Sequence, residues 1–129
     1  MTDSGGKAVI LAVDDTPENL DMVKGALGDK YVIKAAINGM IALKIAEKAP
    51  PDLILLDIQM PGMDGFEVMK RLQAIKTMQA VPVIFLTGES DFNIKQRAFE
   101  MGARGFVTKP IDSASLKDTV AGELAKARS

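Results

Sequence analysis

Five times along the chain, a short apolar run gives way to a helical stripe of apolar residues. Strict alternation of this kind leaves few folds open. Successive strands separated by a helix pair in parallel, the crossovers are right-handed, and the helices cover both faces of the sheet. The runs "AVILAV" (8–13), "LILL" (53–56) and "VPVIFL" (81–86) are continuously apolar, which suits strands buried on both faces. "YVIKAA" (31–36) is more mixed and suits a sheet edge, while "GFVT" (105–108) predicts a short fifth strand. Pro82 lies near the start of its run, where a missing donor is tolerated.

The intervening segments carry helix signals. Thr16 and Pro17 read as cap and first helical position, followed by Leu20, Val23 and Leu27 and closed by Gly28. Asn38-Gly39 marks a turn or cap before a stripe of Ile41, Ile45 and Ala49, which Pro50-Pro51 stops. Asp64 precedes a helix from Phe66 to about Ile75, and another is predicted from Phe92 to Met101, ending at Gly102. Asp112 or Ser113 caps a last helix with the stripe Leu116, Val120 and Leu124. Gly122 inside it costs about 1 kcal/mol relative to alanine.

A chain of 129 residues is long enough for one domain with a substantial core. We expect that domain over 8–127, with 1–7 as a loose segment. Sixteen basic and 17 acidic residues nearly balance, so no overall field draws the chain to nucleic acid or an anionic membrane. The longest apolar run is too short to span a bilayer, and "MTDSGGK" has no signal-peptide core, which predicts a cytoplasmic protein. The chain has no cysteine and no histidine. Disulfide frameworks, thiolate or imidazole metal sites and histidine-based triads are thereby excluded. Any chemistry falls to Asp, Glu, Lys, Ser and Thr.

Such residues gather at strand ends. Asp14 and Asp15 follow the first strand, Asp57 ends the third, Thr87 ends the fourth and Lys109 follows the fifth. In a parallel sheet these C-terminal ends share one edge, where ligands bind. Three close carboxylates raise one another's pKa, and a hard cation such as Mg²⁺, which takes oxygen ligands, resolves the conflict. Mg²⁺ and Lys109 together cancel the three negative charges. A phosphoryl group on one aspartate would replace its single charge with about −2, tolerable beside a cation, a lysine and a hydroxyl.

The segments "VDDTPEN", "LILLDIQMPGMDGFEVM", "PVIFLTGES" and "GARGFVTKP" resemble the receiver domain of bacterial two-component response regulators, from about Val9 to Leu124. The resemblance implies a flavodoxin-like (βα)5 fold with strand order 2-1-3-4-5. It implies Asp57 as phosphoacceptor, Asp15 as a direct Mg²⁺ ligand, Asp14 acting mainly through water, and the backbone carbonyl of Gln59 as a third protein ligand. Lys109 would pair with phosphoryl oxygens, and Thr87 and the Gly88 amide would hydrogen-bond them. Thr87 and Phe106 match the family's switch positions, and the Lys109-Pro110 bond is expected to be cis. The partners implied are a histidine kinase or histidine phosphotransfer protein and a downstream target or output domain. A phosphorylation-dependent dimer is allowed. The only catalysis expected is the chain's own phosphorylation and dephosphorylation.

Other residues have plainer readings. Met60 and Met63 are expected to wedge the loop after Asp57 against the fold, and Phe92 and Phe99 to pack, with Phe92 open to a partner. Gln59 and Glu89 flank the site. Two rival functions share some features. Phosphatases of the haloacid dehalogenase type use aspartates separated by one residue, whereas Asp14 and Asp15 are adjacent. A phosphorylation-independent interaction module would not need the full acceptor set. With no helix-turn-helix, zinc finger or basic patch, direct DNA binding is not expected.

Overall fold

A computed structural model describes residues 7–88 and 92–128. Glu89 and residues 1–6 of the expected loose segment lie outside the described residues. Five strands, β1 (Val9–Val13), β2 (Val32–Ala36), β3 (Leu53–Asp57), β4 (Val83–Thr87) and β5 (Gly105–Thr108), form one parallel sheet in the order β2-β1-β3-β4-β5. Between and after them run α1 (Pro17–Leu27), α2 (Gly39–Lys48), α3 (Gly65–Gln73), α4 (Phe92–Glu100) and α5 (Ser113–Arg128). The mixed second run is indeed the edge strand, and the flavodoxin-like expectation holds. None of the described helices is long and apolar enough to cross a membrane.

Alternation along the strands divides the core into two layers. Leu11, Val13, Ile54, Leu56, Val83 and Phe85 face one side, with residues of α2, α3 and α4. Ile10, Ala12, Leu53, Leu55, Ile84 and Leu86 face the other, with α1 and α5. Each large aliphatic side chain buried there stabilises the fold by about 1.5–3 kcal/mol before entropy is subtracted. The stripes Leu20, Val23, Leu27 and Leu116, Val120, Leu124 are buried as expected.

The α2 stripe is not. Its buried residues are Gly39, Ala42, Leu43 and Ala46, while Ile41 is exposed and Ile45 half-buried. The reason is close packing by small residues. A Cβ on Gly39 would come within 2.6 Å of Val68 Cγ2 and 2.9 Å of Met63 Sδ. Only a bare backbone lets the start of α2 sit so near α3 and the loop after β3.

Smaller corrections have equally local causes. β4 starts at Val83 rather than residue 81, since Pro82 has no N–H to give and serves only through its carbonyl, which accepts from Ile54 N. Helix α3 stops at Gln73, and a separate 3₁₀ turn covers Lys76–Met78. Gly28 closes α1 in a right-handed conformation (φ −64°), not the left-handed one that favours glycine. Thr16 occupies the cap position of α1 without a side-chain cap bond, and its backbone N–H donates to Asp14 Oδ1. Asp112, not Ser113, caps α5, accepting from Ser115 N at 2.9 Å.

Candidate functional site

Strand register assembles the site. Val13 pairs with Leu56, so the next residues, Asp14 and Asp57, stand level on neighbouring strands. Asp57 pairs with Leu86 and Thr87 with Thr108, which brings the end of β4 and the residue after β5 to the same edge. One carboxylate oxygen each of Asp14, Asp15 and Asp57 fits within 4.8 Å. Asp14 and Asp57 are buried, whereas Asp15 is exposed. Thr87 is buried at the end of β4. Gly88 follows it at the surface.

Lys109 ties the two buried carboxylates together. Its Nζ lies 2.9 Å from Asp57 Oδ1 and 3.0 Å from Asp14 Oδ2. The following Lys109-Pro110 bond is cis, as expected. Burial pulls the Lys109 ammonium toward its neutral form, but Asp57 and Asp14 outweigh it and hold its pKa above the ordinary lysine value. For Asp57 the balance goes the other way. Burial, reinforced by the charge of Asp14, exceeds the help from Lys109 and the Gln59 amide and pushes its pKa up to about 6.

The remaining contacts show how full the site is. Asp57 Oδ1 also accepts from Gln59 N at 3.3 Å. Asp14 Oδ1 accepts from Thr16 N at 2.9 Å, and Asp14 Oδ2 from Asn19 Nδ2 at 3.2 Å. Asp57 Oδ2 is buried and has no hydrogen-bond partner among the described residues. An orphaned buried carboxylate oxygen is costly unless something binds it. Asp14, Asp15 and Asp57 can each bring one carboxylate oxygen within 4.8 Å of the others, an oxygen-rich donor set that suits Mg²⁺. The residues therefore fit the cation that the family resemblance implies.

The loop after β3 is fixed by close backbone approach. A Cβ on Gly65 would stand 2.3 Å from Asp57 O and 2.7 Å from Ile58 Cα, and Gly65 N donates to Ile58 O at 2.8 Å. Asp64 then caps α3, accepting from Glu67 N at 2.9 Å. Met60 is buried and Met63 half-buried against α2, the wedge expected of them.

Phe106 is half-buried against the core layer that includes α4. Phe92, expected to pack or to meet a partner, is 73% exposed. Asn19 is the site residue that motif reading passed over. Its only signal was its place one turn into α1, close behind the paired aspartates.

Comparison with known proteins agrees with this geometry. A family model described as response regulator receiver domain matches residues 10–121. A probable cyclic di-GMP phosphodiesterase of Vibrio cholerae is 42% identical over 95% of this chain, which spans only 28% of that protein. Protein PilH of Pseudomonas aeruginosa is 36% identical, over 92% of this chain and 98% of its own length. The solved structure of the chemotaxis protein CheY4 of Vibrio cholerae superposes with a TM-score of 0.86 at 35% identity, over 90% of this chain and 98% of that one.

Proposed function

The chain belongs to the response regulator receiver domain family, and from that premise we propose that Asp57 is the residue on which this signalling module accepts its phosphoryl group. The observation carrying the proposal is the asymmetry of the Asp57 carboxylate: Oδ1 is held by Lys109 and the Gln59 amide, while the buried Oδ2 has no partner among the described residues. One oxygen is positioned and the other is available as the nucleophile.

In the step proposed, a carboxylate oxygen of Asp57 forms a bond to phosphorus as the bond from phosphorus to the donor breaks. The donor, a phosphohistidine of a kinase or phosphotransfer protein, leaves with the bonding electron pair, and its imidazole takes up a proton. The product is an aspartyl phosphate, and attack of water on phosphorus later returns the carboxylate and orthophosphate. Lys109, already between Asp57 and Asp14, supplies positive charge to the phosphoryl oxygens. Thr87 and the Gly88 amide are its further donors.

Asp15, Asp57 and the Gln59 carbonyl would hold Mg²⁺ directly. Asp14 would act through water, because both of its oxygens already accept hydrogen bonds. When bound, the ion neutralises the charge that the incoming phosphoryl group adds.

The signal proposed runs from Thr87 to Phe106 and out to a face that includes Phe92, Lys95, Arg104 and Lys117. A downstream target or output domain would read that face. Phe106 has no hydroxyl, so any inward swing gains only by burying its ring. The test is incubation with a small phosphodonor with and without Mg²⁺, read on a phosphate-affinity gel. Wild type should shift only with Mg²⁺, and Asp57→Asn should not shift. A phosphorylation-independent interaction module would shift in neither condition.

A further inference from the structure

Asp14 is fully buried, and its carboxylate is held at three points. Two are structural commitments of the chain: the Thr16 amide on Oδ1 and the Asn19 side-chain amide on Oδ2. The third, Lys109, is shared with Asp57 and sits on the same Asp14 oxygen as Asn19. A lysine drawn toward a phosphoryl group on Asp57 loosens its hold on Asp14. Among the described residues, Asp14 Oδ2 then keeps only Asn19 as a partner.

We infer that Asn19 is a positioning residue for the acceptor site: its amide fixes the Asp14 carboxylate while Lys109 is exchanged between Asp14 and the phosphoryl group. The inference rests on the reading of Asp57 as phosphoacceptor. The chemistry of the side chain suits the role. A neutral amide orients a carboxylate without cancelling its charge, so Asp14 still attracts a cation. A lysine or arginine at position 19 would supply a second positive charge and compete with Mg²⁺. An aspartate there would set a like charge against Asp14 and supply no donor.

Backbone geometry supports the assignment. Asn19 is the third residue of α1, the position from which a side chain commonly reaches back to the helix cap. Here the Thr16 N–H is already taken by Asp14, and the Asn19 amide turns to Asp14 instead. Asp14 therefore holds the backbone just before α1 and is itself held from that helix. A purely structural role in fixing this turn is the competing explanation.

The experiment compares wild type, Asn19→Ala and Asn19→Gln in three measurements: Mg²⁺ affinity by titration calorimetry, acylation rate against Mg²⁺ concentration with a small phosphodonor, and thermal unfolding without metal. Removing a partner that orients a metal-site carboxylate typically weakens metal binding by about tenfold or more. Asn19→Ala should therefore bind Mg²⁺ about tenfold more weakly and need correspondingly more Mg²⁺ for half-maximal acylation, with a smaller fall at saturation. Asn19→Gln, which keeps the amide, should recover most of the affinity. Unchanged Mg²⁺ affinity in Asn19→Ala overturns the inference. So does a lowered unfolding temperature with unchanged metal affinity, the signature of a purely structural role. The calorimetric arm needs no phosphoryl transfer. A wild type that takes no phosphoryl group would overturn the Asp57 reading, and the Asn19 result would still stand or fall on metal affinity.

Discussion

The ring of Phe99 stands edge-on to that of Phe106, with centroids 4.8 Å apart and planes at 88°. Phe99 is nevertheless 54% exposed, so α4 offers one edge of this ring to solvent and spends the other on β5. Lys95 Nζ, also from α4, lies 5.8 Å from the Phe106 centroid. The switch candidate is thus held by α4 and not merely lodged in the core. Edge-to-face pairs contribute about 0.5–1.5 kcal/mol beyond area burial. Phe99→Ala should lower stability in chemical denaturation by at least that much and release Phe106 to sample a second position, seen as altered aromatic NMR signals. An unchanged Phe106 spectrum would mean that Phe99 does not hold it.

Thr87→Ala should separate acceptance of the phosphoryl group from transmission. The buried hydroxyl at the end of β4 is the proposed link between Asp57 and Phe106. The variant should still form an acyl phosphate. Its Phe106 signals should move less than wild type when a phosphoryl mimic is added. A full wild-type response would send the signal by another route, such as the loop at Met60 to Met63.

Gly65→Ala is expected to be among the most damaging single-methyl additions. Its Cβ would fall 2.3 Å from Asp57 O and 2.7 Å from Ile58 Cα, and both are backbone atoms that cannot rotate away. Overpacking of this kind costs typically 1–3 kcal/mol. Because the clash is with Asp57 itself, acylation should fall along with stability. Gly122→Ala is the control: beyond its own turn of helix, the added Cβ would meet no atom of the described residues within 4 Å. It should gain up to about 1 kcal/mol from helix propensity.

Without divalent ions, Asp57 should make stability fall as pH rises from about 4 to about 6. Its pKa is raised from 3.8 to about 6 by burial and by Asp14. The folded state therefore keeps a proton that the unfolded chain releases across that window, and the penalty is complete above it. The full effect is on the order of 3 kcal/mol. Other carboxylates titrate too, so the useful quantity is the stability of wild type minus that of Asp57→Asn at each pH. That difference should decline through the window and then level off. A flat difference would show that Asp57 is not desolvated as its burial suggests.

The sequence made the fold legible because strand and helix periods alternate without interruption and the strand ends carry the polar residues. Asp14, Asp15, Asp57, Thr87 and Lys109 could be named from position alone, since a parallel sheet brings all C-terminal ends to one edge. Packing was less legible. The stripe Ile41, Ile45, Ala49 misidentified the buried face of α2, because large aliphatics were read as core when Gly39, Ala42 and Ala46 make the close approach. Asn19 was missed for a related reason: its partner is a side chain whose direction no periodicity reveals. The Phe99 and Phe106 pairing depends on how α4 lies across β5, a tertiary angle that a single sequence does not encode locally.

Mapping the acyl phosphate shows whether Asp57 carries the phosphoryl group. Wild type incubated with a small phosphodonor and Mg²⁺, then reduced with borohydride, should give homoserine at position 57 and at no other aspartate. Asp57→Asn under the same conditions should give none. Homoserine at Asp14 or Asp15, or undiminished labelling in Asp57→Asn, would contradict the account.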